Sequence, residues 1–368
     1  MPLRPTTLLG ALCLLLCPWS LGAQIESPYG VNVHAPEGEH LRFLFDKTVE
    51  AGIGWVRIDF VWAAIEPAPG VERWRVYDDI VRVARARNLR VLALIAYTPA
   101  WATDGPAISG VPRRASDWSD FCYRAARRYR HDVFHWEIWN EPNLPHFWSG
   151  SRLEYIAEIL EPGARAIRAA NPNARVGGPA LAHFVGEGRD WHGWLLDVLN
   201  EAGRELDFLT HHAYDLDDPG GLTRKLVDDT PSGGDPAGWD REPPSLREVL
   251  DQTSWSGPVW LTETGWVTTR LDESRQAAHY RTFLERWFAS ENQGNGLLAR
   301  VFFYEIQDDR NPQAGKYGIL RASGREKPAY RVLRDFIAGR SPPPTDGGSP
   351  DPVEEEPRQP RIDRPRVQ

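Results

Sequence analysis

Short apolar runs alternate with amphipathic stretches along almost the whole of this chain. Tyr29 to His34 reads as a strand. Glu39 to Ala51 follows, with Leu41, Leu44, Phe45 and Val49 at helical spacing, and Gly52 stops it. Gly54 to Phe60 is a second strand. Trp74 to Arg87 is a helix with Val76, Ile80, Val83 and Ala84 on one face. Leu89 to Tyr97 is a continuous apolar strand, as expected where both faces are covered. Strands then read at Val133 to Trp139, Ala174 to Gly178, Leu206 to His212, Pro258 to Thr262 and Ala299 to Ile306. Helical periodicity separates them at Ala115 to Arg130, Leu153 to Ala170, Trp191 to Ala202, Ser245 to Asp251 and Ser274 to Ser290. Pro328 to Ile337 is the last helix. Pro162-Gly163 should bend or break the helix that contains it. Asp215 to Pro244 is a polar, Gly/Pro-rich insertion that carries Trp239 and is expected to shape one wall of a groove.

Strand followed by helix, repeated through a body of residues 27–340, predicts an α/β fold. The expected form is a single (β/α)8 barrel with loop insertions and no β-sandwich accessory domain. A doubly wound sheet lacks support, because no Gly-rich phosphate fingerprint follows the first strand. The barrel reading directs attention to the C-terminal tips of the strands, where barrel active sites lie.

The two ends of the chain differ from this body. Residues 1–23 combine Arg4, an apolar run from Leu8 to Leu16 and small residues up to Ala23, the pattern of a secretory signal peptide. That run is too short to span a bilayer comfortably, so a secreted or periplasmic protein with no stable membrane insertion is expected. Cys13 and Cys17 fall inside this segment. Cys122 alone remains, on an amphipathic stretch, and reads as a buried helix residue. Residues 341–368 are Pro, Asp, Glu and Arg with almost nothing apolar, a composition expected to be disordered. A net charge of −8 and no basic stripe argue against nucleic acid as a partner. Oligomeric state is not legible in the pattern.

The strand tips carry the candidate chemistry. The fourth strand ends in Asn140-Glu141, and Pro142 closes it, because Pro cannot continue a strand ladder. The seventh ends in Glu263. Two carboxylates facing each other across a barrel mouth suit glycosidic cleavage, where one must be a neutral acid and the other ionised. Arg57 on the second strand is a fixed cation able to keep one glutamate ionised; a structural salt bridge to Asp59 is the competing use. His212 and Tyr214 share a face at the sixth tip. His212 is placed either to orient a carboxylate or to touch a sugar hydroxyl, and Tyr214 to hydrogen-bond the nucleophile. Asn32 and His34 end the first strand on one face. Trp62, Trp101, Trp139, Trp148 and Trp266 all fall at or beyond tips, which suits stacking platforms for sugar rings.

These residues resemble a known group. Trp139-Asn140-Glu141-Pro142-Asn143 and Leu261-Thr262-Glu263-Thr264-Gly265-Trp266 are similar to the strand-four and strand-seven signatures of clan A retaining glycoside hydrolases. Trp62-Ala63-Ala64-Ile65-Glu66-Pro67, Ile95-Ala96-Tyr97-Thr98-Pro99-Ala100-Trp101 and Lys327-Pro328-Ala329-Tyr330 are similar to family 39 and its relatives. The resemblance implies double displacement with retention on a β-linked carbohydrate, without a cofactor or metal. Glu141 would be the acid/base, Glu263 the nucleophile held by Tyr214 and Arg57, and Asn140 the contact for the sugar 2-hydroxyl. The strand-eight stretch Phe302 to Asp309 lacks the Trp often found there, and the plain barrel looks closer to bacterial endo-acting enzymes on exopolysaccharide than to xylosidases. Two other classes compete. A metal-dependent barrel hydrolase would need a His-x-His pair at the first tip, where Asn32-Val33-His34 stands. A non-catalytic carbohydrate-binding barrel would keep the groove without turnover.

Overall fold

A computed structural model describes residues 27–34, 36–183, 190–215, 218–227, 244–289, 296–311 and 314–339. Eight parallel strands close into a barrel in chain order. They are β1 (Tyr29–Asn32), β2 (Trp55–Val61), β3 (Arg90–Ala96), β4 (His135–Ile138), β5 (Arg175–His183), β6 (Phe208–Ala213), β7 (Val259–Thr264) and β8 (Leu298–Phe303). β8 pairs back onto β1, with Gly30 opposite Phe302, so the sheet has no edge. The single (β/α)8 barrel expected from the alternation is the fold observed.

Outward strand residues such as Val56, Ile58 and Phe60 meet the helices, and this ring between barrel and helices is the main apolar core. The helix Arg75–Arg85 shows why. Tyr77, Ile80, Val81 and Ala84 recur at three- and four-residue spacing, so one face is apolar and is buried. Cys122 is buried in the helix Ala115–Arg128. Among the described residues no helix is long and apolar enough to cross a membrane.

Three local expectations change. The irregularity in the helical stretch after β4 comes before Pro162: the six residues Tyr155–Leu160 are π-helical, and Glu161–Ala170 then continues as α-helix. Pro162 follows directly in this continuous helical run, and the wider π turn before it accommodates the N–H that proline lacks. β5 runs past Gly178 to His183, because a bulge at Ala180 lets pairing with β6 resume. The insertion holds a helix, Pro219–Leu226, started by the Asp218 side chain accepting from the N–H groups of Gly220 and Gly221. The proposed signal segment, the C-terminal tail and Trp239 lie outside the described residues.

Inward residues change character along the barrel axis. At the N-terminal end Trp55, Leu92, Phe208, Trp260 and Phe302 form a separate apolar plug. Two and four residues further along β2, Arg57 and Asp59 face the opposite mouth, where Arg57 reaches Glu263 and Asp59 lines a cavity.

Candidate active site

The mouth is organised by Arg57, which is almost wholly buried. A guanidinium has five N–H donors and no acceptor. Here each donor has a partner. Nε donates to Glu137 at 2.5 Å; Nη1 to Asn32 at 2.9 Å and Glu263 at 2.6 Å; Nη2 to Asn140 Oδ1 at 3.1 Å and His212 Nε2 at 3.3 Å. A salt bridge to Asp59 was the competing use for Arg57, beside that of a cation held against one glutamate. The direct partners are Glu137 and Glu263, from across the barrel, and Asp59 pairs with His34.

Glu263 reaches this network through an irregularity in its strand. Trp260 faces the barrel interior, so strict alternation would send Thr262 inward and Glu263 outward. The pairing of β6 with β7 instead skips one residue: His211 lies opposite Leu261, and His212 opposite Glu263. The extra residue reverses the alternation and turns Glu263 into the mouth. Asn32 anchors the bulge by donating to the Thr262 carbonyl at 3.1 Å. Glu263 Oε2 also accepts from the Tyr214 hydroxyl at 2.9 Å. Burial alone would push the Glu263 carboxyl up. The His212 Nδ1–H 3.6 Å away and the charge of Arg57, with the hydrogen bonds from Tyr214 and Arg57, outweigh that and hold it below the ordinary carboxylate range.

Glu141 is positioned differently. β4 ends at Ile138, and both Trp139 (φ 69°) and Glu141 (φ 44°) lie in the left-handed region that side chains avoid. Strain of this kind persists where surrounding contacts over-determine it. The Glu141 N–H donates to the Ala180 carbonyl at the β5 bulge at 3.0 Å, and the Asn143 side chain bonds both backbone groups of Ala182. One carboxylate oxygen of Glu141 lies 3.0 Å from His212 Nδ1. The partners of His212 fix its tautomer. Arg57 can only donate, so Nε2 accepts, and Nδ1 carries the proton toward Glu141. Nδ1 is also 3.6 Å from Glu263. His212 is fully buried, so of the two uses expected for it, orienting the carboxylates is the one its position permits.

A cavity of about 360 Å³ opens over these groups. Asn140, Glu141 and Glu263 form its floor with Arg57, and His34 and Asp59 stand on one wall. Its aromatic walls are Tyr97, Phe147, Tyr214, Tyr304 and Tyr317. The tryptophans expected as sugar platforms are elsewhere. Trp62, Trp139, Trp148 and Trp266 are buried. Trp62 stacks on Phe121, Trp139 donates to the Phe147 carbonyl, Trp148 to the Ser151 carbonyl, and Trp266 packs on Tyr280. Trp101 is half-buried, donates to the Glu66 carbonyl and does not line the cavity. Indole rings hide the most apolar area of any side chain, and the gap between barrel and helices takes them. Tyrosines at the mouth bring a hydroxyl to its polar groups, as Tyr214 does to Glu263 and Tyr304 to His34.

Glu137, Tyr97, Phe147, Tyr304 and Tyr317 were not singled out in the sequence. Glu137 left one signal: a carboxylate inside an otherwise apolar strand needs a buried cation. Glu141, His212 and Glu263 each offer a ligand atom within 4.8 Å of the others, the composition of a metal site. The donor set does not fit one as it stands. The near ring atom is Nδ1, and the Arg57 donor on Nε2 leaves Nδ1 protonated, whereas a metal needs its lone pair.

A closed parallel barrel with two glutamates converging at the tips of β4 and β7 is the architecture of the barrel glycoside hydrolases. The chain belongs to glycosyl hydrolases family 39, whose model matches residues 110–338. It is 34% identical over 210 residues to a β-xylosidase of Geobacillus stearothermophilus, covering 55% of this chain and 40% of that protein. A β-xylosidase of Caldicellulosiruptor saccharolyticus is 26% identical over 239 residues, covering 61% and 46%. The matches thus span less than half the length of these relatives. Among solved structures, a monomeric β-xylosidase of Caulobacter crescentus superposes with a TM-score of 0.65 at 20% identity, covering 85% of this chain and 68% of that one. That likeness concerns the fold.

Proposed function

We propose that this protein is a retaining glycoside hydrolase that cleaves β-linked O-glycosidic bonds of a poly- or oligosaccharide by double displacement. Glu263 is the nucleophile: it attacks the anomeric carbon while Glu141 gives its proton to the leaving oxygen and the glycosidic bond breaks. Glu141, now a carboxylate, takes a proton from water, which displaces Glu263 and releases the sugar. Arg57 and Tyr214 keep Glu263 ionised before attack. His212 gives its N–H to Glu141 when that group carries charge. Asn140 meets the sugar 2-hydroxyl.

The observation that carries this reading is the closeness of the two carboxylates, which have an oxygen each within 4.8 Å. Retention needs carboxyl groups about 5–5.5 Å apart, whereas inversion needs room for a water between them at roughly 6.5–9.5 Å. The unequal environments support the roles, since Glu263 has a guanidinium and a phenol on it and Glu141 a neutral imidazole. The β-xylosidase activity of the similar proteins is consistent with a β-linked substrate. The test is the anomer formed first, read by proton NMR on a reacting substrate. Retained configuration is expected, and an inverted product sinks the double displacement.

Residues 1–23 are proposed to direct export and to be removed, leaving a catalytic body of 27–340 and a tail of 341–368. Attack inside a polysaccharide chain would give a ladder of oligosaccharides. Product sizing on a panel of bacterial and plant polysaccharides separates it from release of single sugars. The mature N-terminus, read by mass spectrometry from culture fluid, tests the export.

A further inference from the structure

The mouth holds a second charged cluster that the double displacement does not use. His34, at the end of β1, lies with Nδ1 3.7 Å from Asp59 and Nε2 3.2 Å from Glu305. Nε2 is also 3.2 Å from the Tyr304 hydroxyl. With a carboxylate at each ring nitrogen, both nitrogens act as donors, which is the imidazolium form. The neighbouring carboxylates of Asp59 and Glu305 raise the His34 pKa to about 10, although its side chain is 54% exposed. His34 and Asp59 line the same cavity as Glu141 and Glu263.

Both cations of this cavity are therefore already spoken for. Arg57 faces Glu137 and Glu263, and His34 faces Asp59 and Glu305. Two positive charges stand against four carboxylates, before Glu141 is counted. The side chain of Asp59 is 29% exposed, which leaves carboxylate surface for a sugar hydroxyl to donate to. A sugar that brings its own carboxylate finds no unengaged cation among the described residues of the wall, and meets Asp59 instead.

We propose that this cavity selects uncharged sugars and rejects uronic acids, with Asp59 and Glu305 as the residues that set the discrimination. The proposal names the substrate class of the glycosidase reading and rests on it. Like charges pressed together in a cleft cost enough to lower kcat/KM on the order of 100-fold. Neutral sugars incur no such cost and gain a hydroxyl acceptor in Asp59.

The experiment uses matched pairs that differ only at C6: dinitrophenyl β-glucoside against β-glucuronide, and β-galactoside against β-galacturonide. The neutral member is expected to exceed its uronide by ~100-fold in kcat/KM. Asp59→Asn and, separately, Glu305→Gln each remove one negative charge at nearly constant shape. Each should narrow the ratio roughly tenfold. Loss of packing lowers both members alike and leaves the ratio where it was, so a ratio unchanged in both variants overturns the assignment of these residues. A uronide turned over as fast as its neutral partner overturns the proposal itself. If no member of any pair is turned over, and neither dinitrophenyl β-xyloside nor a panel of β-linked polysaccharides is cleaved, the glycosidase reading fails, and NMR titration with the methyl β-glycosides then decides the charge preference alone. Neutral sugars bound with uronides excluded keeps the proposal; equal binding, or none, ends it.

Discussion

The two ends of the barrel interior are built from the same strands by opposite means. At the N-terminal end, Trp55, Phe208, Trp260 and Phe302 fill the barrel with rings, and Phe208 stacks on Trp260 at a centroid distance of 4.0 Å. Two of these rings lie over glycines on the paired strand: Phe302 against Gly30, and Phe208 against Gly177. At the other end the same inward positions hold Arg57, Glu137 and His212, with Glu263 brought beside them. The plug stabilises by removing apolar area from water. The mouth stabilises little for its size, because buried ion pairs must first overcome the desolvation of both partners. What the mouth provides is a fixed set of charges around an open cavity. On this comparison, the plug should govern stability and the mouth activity.

Four substitutions test that division, from the largest expected effect down. Glu263→Gln should lower kcat/KM by ~10⁴-fold or more, while its melting temperature stays near that of the parent. An active variant, or one that simply unfolds, breaks the comparison at the mouth. Phe208→Ala should cost about 3–5 kcal/mol in denaturant unfolding and leave turnover per folded molecule near normal. A comparable loss of turnover in well-folded protein would mean the plug also shapes the mouth.

Tyr214→Phe removes one hydrogen bond to a charged group. It should cost ~1.5–3 kcal/mol in transition-state stabilisation, about 10- to 100-fold in kcat/KM. The sign of its pH effect follows from Glu263, whose carboxyl is held low in the fold. That group adds stability above the ordinary carboxylate range and loses it as pH falls through the lower folded value. Without the tyrosine hydroxyl the folded value rises, so the acid limb of the rate profile should move to higher pH. An acid limb that stays in place would falsify the assignment of Tyr214. Gly177→Ala brings a methyl into the Phe208 ring and should destabilise by about 1–3 kcal/mol, with turnover unchanged.

Much of this was legible in the sequence. Strand and helix periods are local properties, so the eight strands and most of the helices fall within a few residues of where the pattern puts them. Asn140-Glu141 and Glu263 were recognisable as strand-tip polar residues. The tryptophans were misplaced because a tip position says where a residue sits along the axis, not which side of the wall its ring enters. Trp62 and Trp266 enter the helix side and are buried there. Tyr317, which lines the cavity, lies in a stretch without any periodic signal, and Tyr304 lies at the end of the expected eighth strand, where the pattern does not say that its ring faces the mouth.

By itself, then, the sequence determined the barrel, the two carboxylates and the strands that carry them, because each is written in the spacing of neighbouring residues. Tertiary structure alone decided which way Glu263 faces, since the β7 bulge depends on its pairing with β6. It alone decided the tautomer of His212 and the five partners of Arg57, one of them 206 positions away in the chain. Periodicity is a property of adjacent residues. Register, burial and charge pairing are properties of residues that meet only when the barrel closes.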